Sequence, residues 1–150
     1  MPALTADTAT DLLHTTIPAV GRLGIVVERI GPGEVTLRVP IEGNTNHFGT
    51  MYAGALFAIA ELPGGLIPLL VLGPGTHTPI VTDLQVRFLA PARTDVTLTA
   101  RMDPAEVAAL AAQADAEGRA DFTLELEGRD ADGRTVVATR GQYQLRPSRR

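Results

Sequence analysis

Residues 53–65 read AGALFAIAELPGG, and their glutamate, Glu61, is the only charged residue between Glu42 and Asp83. A carboxylate in so apolar a stretch is costly unless a partner holds it or a reaction uses it. Used, it acts as a general base on water or as a nucleophile, with burial raising its pKa and a neighbouring donor keeping it ionised. Held, it forms a structural ion pair with an arginine. The polar run EGNTNHFGT, just upstream, adds Asn46 and His47. Asn46 either orients a water or a carbonyl, or it turns the loop. His47 is either an acid–base group or a loop residue. The start of the apolar helix, from Tyr52 through Ala53 to Gly54, offers unpaired N–H groups and a positive dipole end where an oxyanion develops. The Tyr52 phenol either bonds a substrate or packs at an interface.

Absences narrow the chemistry. The 150-residue chain has no cysteine, and all 13 of its basic residues are arginine. Thiolate nucleophiles, cysteine metal sites, Schiff-base lysines and P-loop lysines are thereby excluded. The single serine, Ser148, is expected in a frayed tail, which leaves a Ser-His-Asp triad without a nucleophile. His14, His47 and His77 are too scattered for a metal motif. A net charge of −4 does not suit a nucleic-acid partner. The N-terminus carries acids rather than the basic cluster of a secretory signal. The stretch from Ala53 to Leu72 is long enough to span a bilayer, but Glu61, Pro63, Pro68 and three glycines mark it as a core helix instead. The expectation is one soluble, cytoplasmic domain without a membrane or nucleic-acid partner.

The elements that must position Glu61 follow from periodicity and punctuation. Residues 7–17 predict a short amphipathic helix with Leu13 and Ile17 on one face, ended by Pro18. GIVVERI and GEVTLRV predict two strands turning at Gly31-Pro32-Gly33, with Val35, Leu37 and Val39 buried. The apolar helix starts near Met51 and turns Ala55, Leu56, Phe57, Ile59 and Leu62 to most of its circumference. IVTDLQVRFL predicts a strand with Ile80, Leu84, Val86 and Phe88 on one face, and DVTLTARM a second with Val96, Leu98, Ala100 and Met102. A helix follows, with Asp103 as N-cap, Pro104 at its first position, Glu106 closing a capping box and Gly118 ending it. The chain closes in a hairpin turning at Asp132-Gly133, with Phe122, Leu124 and Leu126 facing inward. A helix with no polar face must be enclosed. An antiparallel sheet curled around it, the α+β hotdog fold, does that most simply.

The segment NHFGTMYAGALFAIAE resembles the Asn-x-x-Gly-x-x-His-Gly-Gly…Asp/Glu motif of hotdog-fold acyl-CoA thioesterases, the superfamily that includes the phenylacetate-pathway-type enzymes. DLQVRFLAPAR and DADGRTVVATRGQYQL are similar to that superfamily's third strand and final hairpin. The resemblance implies a homodimer or dimer of dimers with the central helices side by side. The substrate is then an acyl-CoA or acyl-carrier thioester, with no cofactor beyond the coenzyme A it carries and no metal. Glu61 takes the place of the catalytic acid, while Asn46 and Gly49 match the residues leading into the helix. Tyr52-Ala53-Gly54 stands where His-Gly-Gly is usual, and Gly65 where some relatives carry Thr or Ser. A slot lined by Met51, Leu56 and Phe57 receives the pantetheine arm and acyl chain. Arg93, with Arg87 and Arg101, is the candidate for the coenzyme A phosphates. His47-Phe48, fourteen residues before Glu61, also resembles the pair of β-hydroxyacyl carrier-protein dehydratases, so a hydratase or dehydratase using His47 and Glu61 is the alternative. A non-catalytic, acyl-binding hotdog is the third. Glu61 lies two turns, about 11 Å, beyond the start of its own helix, so the site it serves must be completed by a second helix.

Overall fold

The computed structural model describes residues 4–149. The chain runs through helices α1 (Ala6–Thr16) and α2 (Pro18–Arg22) into strands β1 (Val26–Gly31) and β2 (Glu34–Val39). The central helix follows in two segments, α3 (Ala53–Glu61) and α4 (Pro63–Leu72). Strands β3 (His77–Phe88) and β4 (Val96–Arg101), helix α5 (Pro104–Glu117), and strands β5 (Ala120–Arg129) and β6 (Thr135–Pro147) complete it. One antiparallel sheet takes all six strands in the order β1-β2-β4-β5-β6-β3. Helix α3 touches every strand from β2 to β6. This is the hotdog arrangement expected from the sequence.

The strand alternation decides which face wraps the helix. Val35, Leu37 and Val39 of β2 are wholly buried, as are Val96, Leu98 and Ala100 of β4, and the inward Phe122, Leu124 and Leu126 of β5 are nearly so. Helix α1 lies along β1, where the Thr10 hydroxyl accepts the Val27 N–H at 2.9 Å and His14 Nε2 donates to the Ile25 carbonyl at 2.7 Å. These bonds tie α1 to the chain entering β1, and the end of α1 lines a hollow with the central helix.

Several local expectations are corrected. A bulge at Thr82 shifts the β3–β6 register between Val81 and Asp83, and every residue before it changes face. Ile80 therefore lies with Asp83, Gln85 and Arg87 on the outer face, and Val81 pairs with the buried Tyr143 on the other face while remaining exposed itself. The capping box of α5 does not form: Asp103 Oδ1 accepts the Ala105 N–H at 2.8 Å, and the Glu106 N–H goes to the Asp103 carbonyl at 2.9 Å. A capping box occurs instead at α1, between Thr5 and Thr8. Ile17 caps α1 and remains exposed, whereas Leu13 is buried. Phe57 is 45% exposed, so the sheet of one chain does not enclose the whole helix. Ser148 is not frayed, because its N–H donates to the Thr76 carbonyl at 3.0 Å and its hydroxyl meets that of Thr78 at 3.1 Å.

Candidate active site

Glu61 ends α3 where Pro63 breaks the helical ladder. In an unbroken helix the Gly65 N–H would bond the Glu61 carbonyl. Here it bonds the Leu62 carbonyl at 3.1 Å. The freed Glu61 carbonyl is taken by the hydroxyl of Tyr143, which donates from β6 at 3.3 Å. Tyr143 is 2% exposed and stacks on Phe122, with ring centroids 5.3 Å apart. Burial, and then the Glu61 charge, push its phenol up to about 12, so it remains a protonated donor. Gly64 makes this possible, since a Cβ there would overlap the Tyr143 ring. The sequence reading missed Tyr143, which looks like one more inward strand residue. The signal that could have found it is the Gly64-Gly65 pair set inside an apolar helix.

The Glu61 side chain is half-buried, and none of the ion pairs or side-chain hydrogen bonds among the described residues involves its carboxylate. Burial alone holds its pKa above the ordinary glutamate value. The structural ion pair is thus not made among the described residues. The carboxylate borders a slot of about 270 Å³ between Leu13 and Ile17 of α1 and Leu66 and Leu69 of α4, with Pro79 of β3 at its side.

The other predicted residues gather at the opposite end of α3. The Asn46 side chain closes a loop: its Oδ1 accepts the N–H groups of Phe48 and Thr50 at 2.9 and 3.1 Å, and its Nδ2 donates to the Thr50 hydroxyl at 2.9 Å. Gly49 turns that loop at a φ of +75°, in the left-handed region. His47 is exposed with its ring against Phe48, centroids 3.9 Å apart, and it does not line the Glu61 slot. The Tyr52 N–H is engaged by the Asn44 carbonyl at 2.8 Å, which removes it as an oxyanion donor. The N–H groups of Ala53 and Gly54 have no protein acceptor among the described residues. They remain the free donors at the helix start. The Tyr52 ring lies over Gly54, where a Cβ would collide with it. Asn46, Met51, Ala53 and Leu56 line a second hollow of about 340 Å³ with Phe88 and Leu89. Arg93 is exposed, one residue beyond Ala92, whose carbonyl accepts the Met51 N–H at 2.8 Å.

Donors and acid are therefore at opposite ends of a nine-residue helix. Eight residues at about 1.5 Å each separate them by some 12 Å, too far to act on one carbonyl. Among the described residues there is no cluster of metal-ligating side chains.

An antiparallel sheet wrapped around a central helix is the architecture of the hotdog superfamily. Within it, the chain belongs to the family described as Domain of unknown function (DUF4442), whose model matches residues 7–145. A protein of unknown function from Pseudomonas aeruginosa, described as a probable thioesterase, is 40% identical, with 96% of this chain and 97% of that chain covered and a TM-score of 0.86. A protein with unknown function from Chlorobaculum tepidum has the same fold at 20% identity, covering 99% of this chain and 100% of that chain with a TM-score of 0.83. So does a thioesterase from Haemophilus influenzae at 20% identity, covering 96% and 92% with a TM-score of 0.73. No protein with a curated description matches the chain.

Proposed function

We propose that the protein hydrolyses acyl thioesters at a site shared between two copies of the chain. The observation that carries this is the Glu61 carboxylate, half-buried beside an apolar slot with no cation paired to it among the described residues. Likeness at 40% identity to a probable thioesterase supports the choice of reaction. Glu61 of one copy takes a proton from water, and the resulting hydroxide attacks the thioester carbonyl. The Ala53 and Gly54 N–H groups of the other copy hold the oxyanion. Collapse breaks the C–S bond, and the thiolate leaves with the proton that Glu61 had taken. Direct attack by Glu61 through a mixed anhydride uses the same groups. The test is free-thiol release from a panel of acyl-CoA thioesters, comparing the wild type with Glu61→Gln. A wild type inactive on the whole panel would refute the reading.

The gap of about 12 Å along α3 supports a site shared by two copies, as does the surface. Phe48, Tyr52, Phe57 and Phe88 are all exposed, with Phe48 at 73%. Phe88 belongs to β3, a twelve-residue strand at an open sheet edge. Sedimentation at micromolar concentration should give a dimer or larger. A monomer of 15.8 kDa would defeat the shared site.

Arg93 is the proposed phosphate contact, because it is exposed beside the start of α3 and has no ion-pair partner among the described residues. Arg93→Ala should raise KM several-fold for acyl-CoA and leave a short thioester lacking the nucleotide unaffected. Equal effects on both substrates would remove Arg93 from the site.

A further inference from the structure

Two adjacent glycines sit inside the central helix, where glycine is unfavourable relative to alanine. Packing explains only one. Gly64 makes room for the Tyr143 ring, but a Cβ on Gly65 would meet nothing nearer than Pro79 Cγ at 3.8 Å, an ordinary contact, and the Gly65 φ is not in the left-handed region. Gly65 is therefore a helix-weakening residue that neither backbone conformation nor packing requires. Its bare Cα faces the slot that the Glu61 carboxylate borders, one turn away.

The slot's chemistry is restricted. Among the described residues that line it, Glu61 is the one charged group, and the one hydroxyl, on Thr16, is already donated to the Leu12 carbonyl at 2.7 Å. The remaining walls are apolar, so the slot offers no free side-chain donor to a hydroxylated or carboxylated chain. Its volume is about 270 Å³, below the usual range for drug-sized ligands.

We infer that this slot receives the acyl group, an unsubstituted alkyl chain, and that Gly65 sets its bore. The inference rests on the thioesterase reading for the reaction, but the slot can be tested without turnover. Ala or Val at position 65 fills the space beside the acid. Gly65→Val should lower kcat/KM for octanoyl-CoA at least tenfold and leave acetyl-CoA within about twofold. Gly65→Ala should do the same more weakly while raising Tm by a few degrees, and it carries the test if Gly65→Val does not fold. Binding of two thioethers, S-octyl- and S-ethyl-coenzyme A, separates this inference from the reaction. The wild type should prefer the octyl compound at least tenfold, and Gly65→Val should erase that preference, whether or not any thioester is hydrolysed. Equal binding of the two thioethers by the wild type would overturn the slot as an alkyl site. A preference, or a chain-length profile, that survives Gly65→Val would overturn the role of Gly65. A wild type that discriminates between the thioethers but turns over no thioester would refute the hydrolase reading and leave the slot standing.

Discussion

Glu61→Gln is expected to lose roughly 10²-fold or more in turnover on every thioester the wild type cleaves, with little change in KM. Glutamine keeps the size and most of the hydrogen-bonding capacity of glutamate but cannot take a proton from water. The same change should leave Tm equal to or above that of the wild type, because it removes a partly buried charge without orphaning a cation: none of the ion pairs among the described residues involves Glu61. A structural pair would behave oppositely, losing about 3–5 kcal/mol through the abandoned arginine. Stopped-flow or steady-state thiol release and thermal melts on one variant thus separate the readings. An unchanged kcat would end the catalytic assignment, and a large fall in Tm would reinstate an ion pair made across the assembly.

The pH dependence sharpens this result. In the unfolded chain Glu61 titrates near its ordinary value of 4.5, and burial in the fold raises it. The folded state then binds the proton more tightly than the unfolded state. Stability from this residue is complete below the unfolded value and is lost as pH rises through the folded value. The stabilising effect of Glu61→Gln should therefore appear above the folded value and vanish at acid pH. Activity runs the other way, since only the ionised acid accepts the proton from water. The wild-type kcat/KM should climb with pH along a limb displaced above the ordinary glutamate range. Glu61→Gln should lack that limb.

Most of the fold was legible because its signals are local. Alternation placed Val35, Leu37 and Val39 inward, Asp132-Gly133 turned the last hairpin, and Pro104 and Gly118 bounded α5. Glu61 was legible for the same reason: a lone charge in an apolar run is visible without coordinates. Non-local features were not. The Thr82 bulge moved Ile80 to the outer face, although Pro79 within the strand already marked β3 as an edge. The contact of Tyr143 with Gly64 and the Glu61 carbonyl joins positions far apart in the chain, and no periodicity encodes it. Asn46 shows a different limit. Residue type showed that it could hydrogen-bond, but only the loop geometry showed its amide already engaged by Phe48 and Thr50.

The second large effect is expected at Gly64, one residue from the tolerant Gly65. Alanine is the better helix former by about 0.5–1 kcal/mol, so helix propensity alone predicts stabilisation at both positions. At Gly64 sterics should reverse the sign. The new Cβ would overlap three atoms of the Tyr143 ring. That ring has little freedom to move, being stacked on Phe122 at an interplanar angle of 18° and held at its hydroxyl by the Glu61 carbonyl. Overpacking of a well-filled core costs about 1–3 kcal/mol, which exceeds the propensity gain. Gly64→Ala should therefore lower Tm by several degrees, where Gly65→Ala raises it. Moving Tyr143 also shifts the backbone that carries Glu61, so kcat should fall with stability. The mechanism has its own check in a double-mutant cycle. Tyr143→Leu removes the ring atoms that the new methyl meets, and the penalty of Gly64→Ala should shrink in that background. A penalty of the same size with and without the ring would place the strain elsewhere. A Gly64→Ala protein as stable as the wild type would mean that the α3–α4 junction yields, and that Tyr143 does not fix the position of the acid.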